Sequence, residues 1–266
     1  MKKNLISRSI IVYITILCFS FPTFANENGI RKKEPTLLKK QQTVLKSWIQ
    51  GNEAETILAC NSIYESSEVD QSSLKWAYNL LSEIEPNGFV FIQSKDRILP
   101  VLINQFAKGY RQDVIVISSS DYLINKNYQT RLEQQFSIKP VPMENNVLNQ
   151  IKSINDKKLV VYADFSEMSN FKKQELKLSN FYLTGLLYKF NATSIDNLSI
   201  IRRNYEKRYL LDHFLVDFGV HKNESEVQEL SETYLASMIK LYNHYVATEE
   251  VEKSNTLAKM IARISA

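Results

Sequence analysis

The chain has 266 residues, with 33 lysines and arginines against 29 acids, six glycines and two cysteines. That length holds one large domain or two small ones. With so few glycines there is no P-loop, no G-x-G-x-x-G and no G-x-S-x-G turn, which excludes nucleotide binding through the common phosphate cradles and the hydrolase nucleophile elbow.

The first residues have the three parts of a secretory signal. Lys2, Lys3 and Arg8 form a positive start, Ile10 to Phe21 is apolar, and Thr23-Phe24-Ala25 ends in a small residue suited to cleavage before Asn26. A spanning helix needs about 20 apolar residues, and Pro22 closes this run earlier. Leu17 before Cys18 argues against lipid attachment. The expected product is periplasmic or secreted, with no stable membrane anchor after cleavage. The leader takes three positive charges and no acid with it, leaving 30 basic against 29 acidic residues. A nucleic-acid partner would need a clustered basic surface, and none is expected. Cys60 is then the lone cysteine, so the fold must stand on its core without an internal disulfide.

Residues 26–34 read as a flexible leader. Three helices follow within 35–85. The first opens near Pro35, carries Leu37, Val44, Leu45 and Trp48 at helical spacing, and stops at Gly51-Asn52. The second, over 53–66, places Ile57, Cys60, Asn61 and Tyr64 on one side. The third, over 71–85, has Asp70 as N-cap and Leu74, Ala77, Leu81 and Ile84 as its apolar face.

From Pro86-Asn87-Gly88 the period changes, and 86–200 reads as an α/β core. Phe89 to Ile92, Asp113 to Ile117 and Leu159 to Tyr162 are short apolar runs suited to buried strands, with helices over 96–110, 124–136 and 144–155 between them. Lys139-Pro140-Val141-Pro142 is extended. Tyr182 to Phe190 reads as one further strand. The fold class is α/β: a mostly parallel open sheet of about four strands, helices on both faces, and helical extensions at both ends. Residues 201–266 form the C-terminal helical region packed on the core. There Val227, Leu230, Tyr234, Met238, Leu241 and Tyr245 make one amphipathic stripe, and Val251, Ala258, Ile261 and Ile264 pack back on it over 226–265.

Ligands of an open parallel sheet bind outside the carboxyl ends of its strands. Those ends carry Lys95, Asp96 and Arg97 after the first strand, Ser118, Ser119, Ser120 and Asp121 after the second, and Asp164 with Ser166 after the third. Carboxylates beside serines and a Lys/Arg pair suit a sugar or another polar ligand, or acid/base work. The same residue types are also the ordinary N-caps of the helices that follow. His213, Asp217 and His221 are spaced by four, but Gly219 and Phe214-Leu215-Val216 interrupt a metal-binding face, and a turn with surface histidines is the simpler reading. No metal, cofactor or catalytic residue is assigned.

Trp76-Ala77-Tyr78-Asn79-Leu80-Leu81, Glu85-Pro86-Asn87-Gly88-Phe89-Val90-Phe91, Pro100 and Gly109-Tyr110-Arg111-Gln112-Asp113-Val114-Ile115-Val116-Ile117-Ser118 together carry a family likeness. This stretch resembles the soluble C-terminal region of a family of multi-pass membrane proteins, formerly of unknown function, related to the transmembrane protein O-mannosyltransferases. The likeness continues through Gly185-Leu186-Leu187-Tyr188-Lys189-Phe190 and Asn204-Tyr205, and covers roughly 70–265. The membrane part, where the family's glycosyl-transfer chemistry is expected, is replaced here by the signal. The family's acidic GDNDTFP segment falls on Ser94-Lys95-Asp96-Arg97-Ile98-Leu99-Pro100, which keeps the proline and loses most acids. The resemblance implies a non-catalytic accessory or binding module of the cell envelope, with an envelope protein or a glycan as partner. The alternative is an enzyme acting on glycans or another polar substrate at the strand ends.

Overall fold

The computed structural model describes residues 36–137, 147–173, 178–214 and 224–265. The signal, the 26–34 leader, Pro35, the Lys139 to Pro142 stretch, and Asp217 with His221 lie outside them.

Three helices open the described chain: α1 (Leu37–Gln50), α2 (Glu53–Glu65) and α3 (Gln71–Glu83). Their ends follow from local chemistry. Gly51 ends α1 in the left-handed region at φ 76°, where glycine carries no Cβ penalty. The Asn52 side chain accepts from the Glu55 N–H and that of Asp70 from the Ser72 N–H, each satisfying a donor that a first helical turn leaves open. The buried face of α2 differs from the sequence expectation: Thr56, Cys60 and Ile63 point inward, while Tyr64 is exposed. Burial pushes the Cys60 thiol up to about 12, which leaves it a packing group rather than a nucleophile.

The sheet elements follow as β1 (Phe89–Ile92), α4 (Lys95–Phe106), β2 (Ile115–Ser118), α5 (Ser119–Ile124), α6 (Lys126–Gln135), α7 (Val147–Asn155), β3 (Val161–Asp164), α8 (Phe165–Lys173), β4 (Phe181–Leu183) and β5 (Leu187–Phe190). The sheet has five strands in the order β2-β1-β3-β5-β4. As the helices between them require, β1, β2 and β3 are parallel neighbours, with Phe89 opposite Ile115 on one side and Val161 on the other. Successive strand residues join different apolar clusters. Val90, Ile92, Val116 and Tyr162 pack with Leu80, Leu81, Ile98 and Leu102. Phe89, Phe91, Ile117 and Val161 pack with Tyr128, Leu132, Ile151 and Phe171.

The 182–190 segment is a correction. It is a hairpin, not one strand: β5 runs antiparallel to β3, and β4 antiparallel to β5. The buried Glu83 carboxylate at the end of α3 holds the turn. It accepts from the Thr184 and Tyr209 hydroxyls, from the Leu186 N–H at 2.9 Å and from the Leu187 N–H at 3.3 Å. Burial pushes this carboxyl up to about 7 against those four donors.

The C-terminal part comprises α9 (Asn197–Lys207), which crosses the expected boundary at 200, a 3₁₀ turn (Asp212–Phe214), α10 (Glu224–Glu232), α11 (Leu235–Ala247) and α12 (Val251–Ile264). The apolar stripe is interrupted between α10 and α11. There Thr233 Oγ1 accepts from Trp76 Nε1 at 3.0 Å, and Tyr234 Oη accepts from Asn79 Nδ2 at 2.8 Å. Leu230, Tyr234, Met238, Leu241 and Tyr245 are all buried in the cluster that includes α3 and β1 residues. Leu257, Met260 and Ile264 pack α12 against them, whereas Val251 stands 64% exposed. No helix among the described residues is long and apolar enough to cross a membrane.

Candidate functional site

The parallel strands bring the residues singled out by the sequence to one end of the sheet. In the register, Ile92 of β1 sits beside Ser118 of β2, and Ala163 of β3, next to Asp164, sits beside Phe91. Lys95 and Arg97 lie in the first turn of α4, which starts from the end of β1.

Two ion pairs cross this end. Lys95 Nζ lies 3.2 Å from Asp121 Oδ1, and Arg97 Nη1 lies 3.3 Å from Asp164 Oδ2. Each carboxylate is also tied into the helix that follows its strand. Ser118 Oγ caps α5 by accepting from the Asp121 N–H at 3.3 Å and donates to Asp121 Oδ2 at 2.6 Å. Asp164 Oδ1 accepts from the Glu167 N–H at 2.9 Å, and its Oδ2 accepts from Ser166 Oγ at 2.6 Å as well as from Arg97. Ser120 Oγ donates to the Gln93 carbonyl at 3.2 Å. Asp96 is placed apart: it is exposed in the first turn of α4, where an acid suits the helix dipole.

Glu167 is the residue that sequence reasoning missed. It is fully buried, Ser119 Oγ donates to its Oε2, and its Oε1 is buried without a hydrogen-bond partner. No cation contacts it among the described residues. Burial pushes its carboxyl up to about 7, and the neighbouring Asp164 charge acts in the same direction, against hydrogen bonding by the Ser119 and Asn170 side chains. The position three residues after Asp164 was a signal for a capped turn, but nothing in the sequence marked its carboxyl as buried.

Of the histidine set, only His213 is described, in the 3₁₀ turn. No group of three or more His, Cys, Asp or Glu among the described residues could hold a metal ion. His244 is half-buried beside the α11 stripe.

No protein-family model matches this chain, and no curated protein or solved structure matches it either. The chemistry of the strand ends therefore rests on the side chains themselves. Asp121 and Asp164 are buried, and each carboxylate is held by a cation and a serine hydroxyl. Exposed next to this cluster are the half-exposed Lys95 ammonium and the ring of Phe165, which follows Asp164 and is 40% exposed.

Glu167 makes stability depend on pH. Its folded pKa of about 7 lies above the ordinary 4.5, so the folded chain holds a proton that the unfolded chain releases between these values. Stability is full below about pH 4.5 and falls as pH rises through 7, by up to about 3 kcal/mol for this group. Glu83 has the same sign and window. Glu167→Gln is expected to remove roughly half of the loss between pH 5 and pH 8, measured by urea unfolding at the two values. An unchanged difference would show that Glu167 ionises normally in the fold.

Proposed function

We propose that this chain is an exported, non-catalytic binding module of the cell envelope, periplasmic or secreted. In this reading it is an accessory domain derived from a soluble region like that of the O-mannosyltransferase-related family. It takes a glycan or another polar ligand, or an envelope protein, at the carboxyl ends of β1, β2 and β3. The sheet carries helices on both faces, so a ligand meets the strand ends and not the sheet itself. The observation that carries the reading is the state of the two strand-end aspartates: both are buried and ion-paired, Asp164 accepts from the Glu167 N–H in the first turn of α8, and Asp121 accepts from the Ser118 hydroxyl that caps α5. Such carboxylates hold a surface in place; turnover needs a group free to exchange a proton with substrate. Lys95 and Phe165 then offer a positive charge and an aromatic face, a combination suited to a polyhydroxylated ligand.

Glu167 favours a second reading. A carboxyl near pKa 7 beside a serine is the kind of group a glycan-processing enzyme uses as general acid. Its burial together with Ser119 closes it to substrate, which is why binding ranks first.

The exported protein, immobilised and exposed to fractionated envelope glycans, tests the choice. Lys95→Ala with Phe165→Ala is expected to lower glycan retention about tenfold or more, while Asp164→Asn and Glu167→Gln change it little. Glycan cleavage or transfer by the wild type, lost in either of the last two variants, would replace the binding module with the enzyme.

A further inference from the structure

β2 is an edge strand, and an edge leaves backbone groups unpaired along one side. Alternate residues of a strand direct their N–H and C=O to opposite sides. The Ile115 N–H bonds inward to the Gly88 carbonyl at 2.9 Å, so Val114, Val116 and Ser118 direct theirs outward. Side chains occupy the first and last of these positions. Gln105 Nε2 donates to the Val114 carbonyl at 2.8 Å, and the Ser118 N–H donates to Tyr128 Oη at 3.2 Å. Val116 lies between them, and among the described residues no hydrogen bond reaches its outward N–H or C=O.

Val116 also lines a cleft of about 600 Å³, together with Trp48, Gln105, Tyr128, Arg131 and Phe136. That volume is in the range of sites that enclose a small ligand or a few residues of a peptide. Asn87 and Asp113, which precede β1 and β2, line it too, so it lies at the amino-terminal side of the sheet, away from the strand-end cluster.

We propose that this cleft binds a short extended peptide segment of another protein, which adds to β2 at Val116. The backbone geometry selects a peptide over an amino sugar. An outward N–H and C=O on one residue are matched by the N–H and C=O of one extended residue, whose two groups lie on the same side. An acetamido group is a single trans amide; its N–H and C=O point in opposite directions and only one can be used. Gln105 and Tyr128 terminate the pairing on either side, which limits the added segment to a register centred on Val116. Trp48 and Phe136 are half-buried and give apolar contact to the peptide's side chains. The strand-end reading does not require this site.

The test is a titration of the isotope-labelled full chain, followed by amide NMR, with the blocked pentapeptide acetyl-Thr-Val-Thr-Val-Thr-amide. Its analogue N-methylated on every residue and chitobiose are the comparisons. The pentapeptide is expected to shift the Val116 amide and slow its hydrogen exchange about tenfold, and the methylated analogue to bind at least about tenfold more weakly. Val116→Pro removes the outward N–H at an edge position, where proline is tolerated, and the folded variant is expected not to bind. Equal binding of the methylated peptide, unimpaired binding by folded Val116→Pro, a Val116 shift with chitobiose alone, or no shift at millimolar pentapeptide would each overturn the proposal. If Val116→Pro does not fold, the two peptides decide.

Discussion

Gly185→Ala is expected to cost at least about 3 kcal/mol, a large share of the roughly 5–15 kcal/mol that holds a domain of this kind folded. A Cβ at this position would lie 2.0 Å from Tyr209 Oη and 2.8 Å from Glu83 Oε2. Neither atom can retreat cheaply. The Tyr209 hydroxyl donates to Glu83, whose oxygens also hold the Leu186 and Leu187 amides, so any shift leaves buried polar groups unpaired. The same change at Gly109 provides the comparison. That glycine has φ +65° and nothing within 4 Å of the added carbon, so only backbone strain of about 1 kcal/mol applies. Urea unfolding of both variants measures the difference. Equal losses would mean that the Glu83–Tyr209 contact does not constrain the hairpin turn.

Leu241→Asp is expected to be comparably destabilising. Leu241 is 0% exposed and packs in the cluster that joins the C-terminal helices to α3 and β1. Removing its side chain forfeits about 2 kcal/mol of apolar burial, and the new carboxylate adds several more for desolvation without a partner. Ala236→Asp is the matched control. It is exposed on the first turn of α11, where an acid is favourable, and a change within about 0.5 kcal/mol is expected. Lys240, on the side of α11 that the stripe leaves polar, is a poorer control, because its ammonium donates to Asn197 Oδ1 at 2.8 Å. A Leu241→Asp protein that melts with the wild type would show that the stripe contributes nothing to folding.

Both sites show where the sequence was legible and where it was not. The positions that would carry a strand-end site could be named in advance, since an apolar run followed by Ser or Asp marks the end of a strand and the start of a helix. Their pairing could not. Arg97 meets Asp164 across 67 residues of chain, and whether a cation there faces a ligand or a carboxylate depends on which strands are neighbours. Nothing in the sequence singles out Glu167, and only the packing around it reveals a carboxyl without solvent. The edge position of Val116 depends in the same way on strand order.

The amino-acid sequence by itself determined the elements whose causes are local. Gly51 stops α1, Asn52 and Asp70 start α2 and α3, and three short apolar runs separated by helical stretches make β1, β2 and β3 run parallel. Only the tertiary structure decided the rest. The 182–190 segment folds back on itself because a carboxylate about a hundred residues earlier supplies acceptors for its turn. The long C-terminal stripe breaks at Thr233 and Tyr234 because Trp76 and Asn79 bond there. Periodicity and capping act over a few residues and can be read along the chain, whereas a buried polar group takes whichever partner the completed fold brings within hydrogen-bond reach.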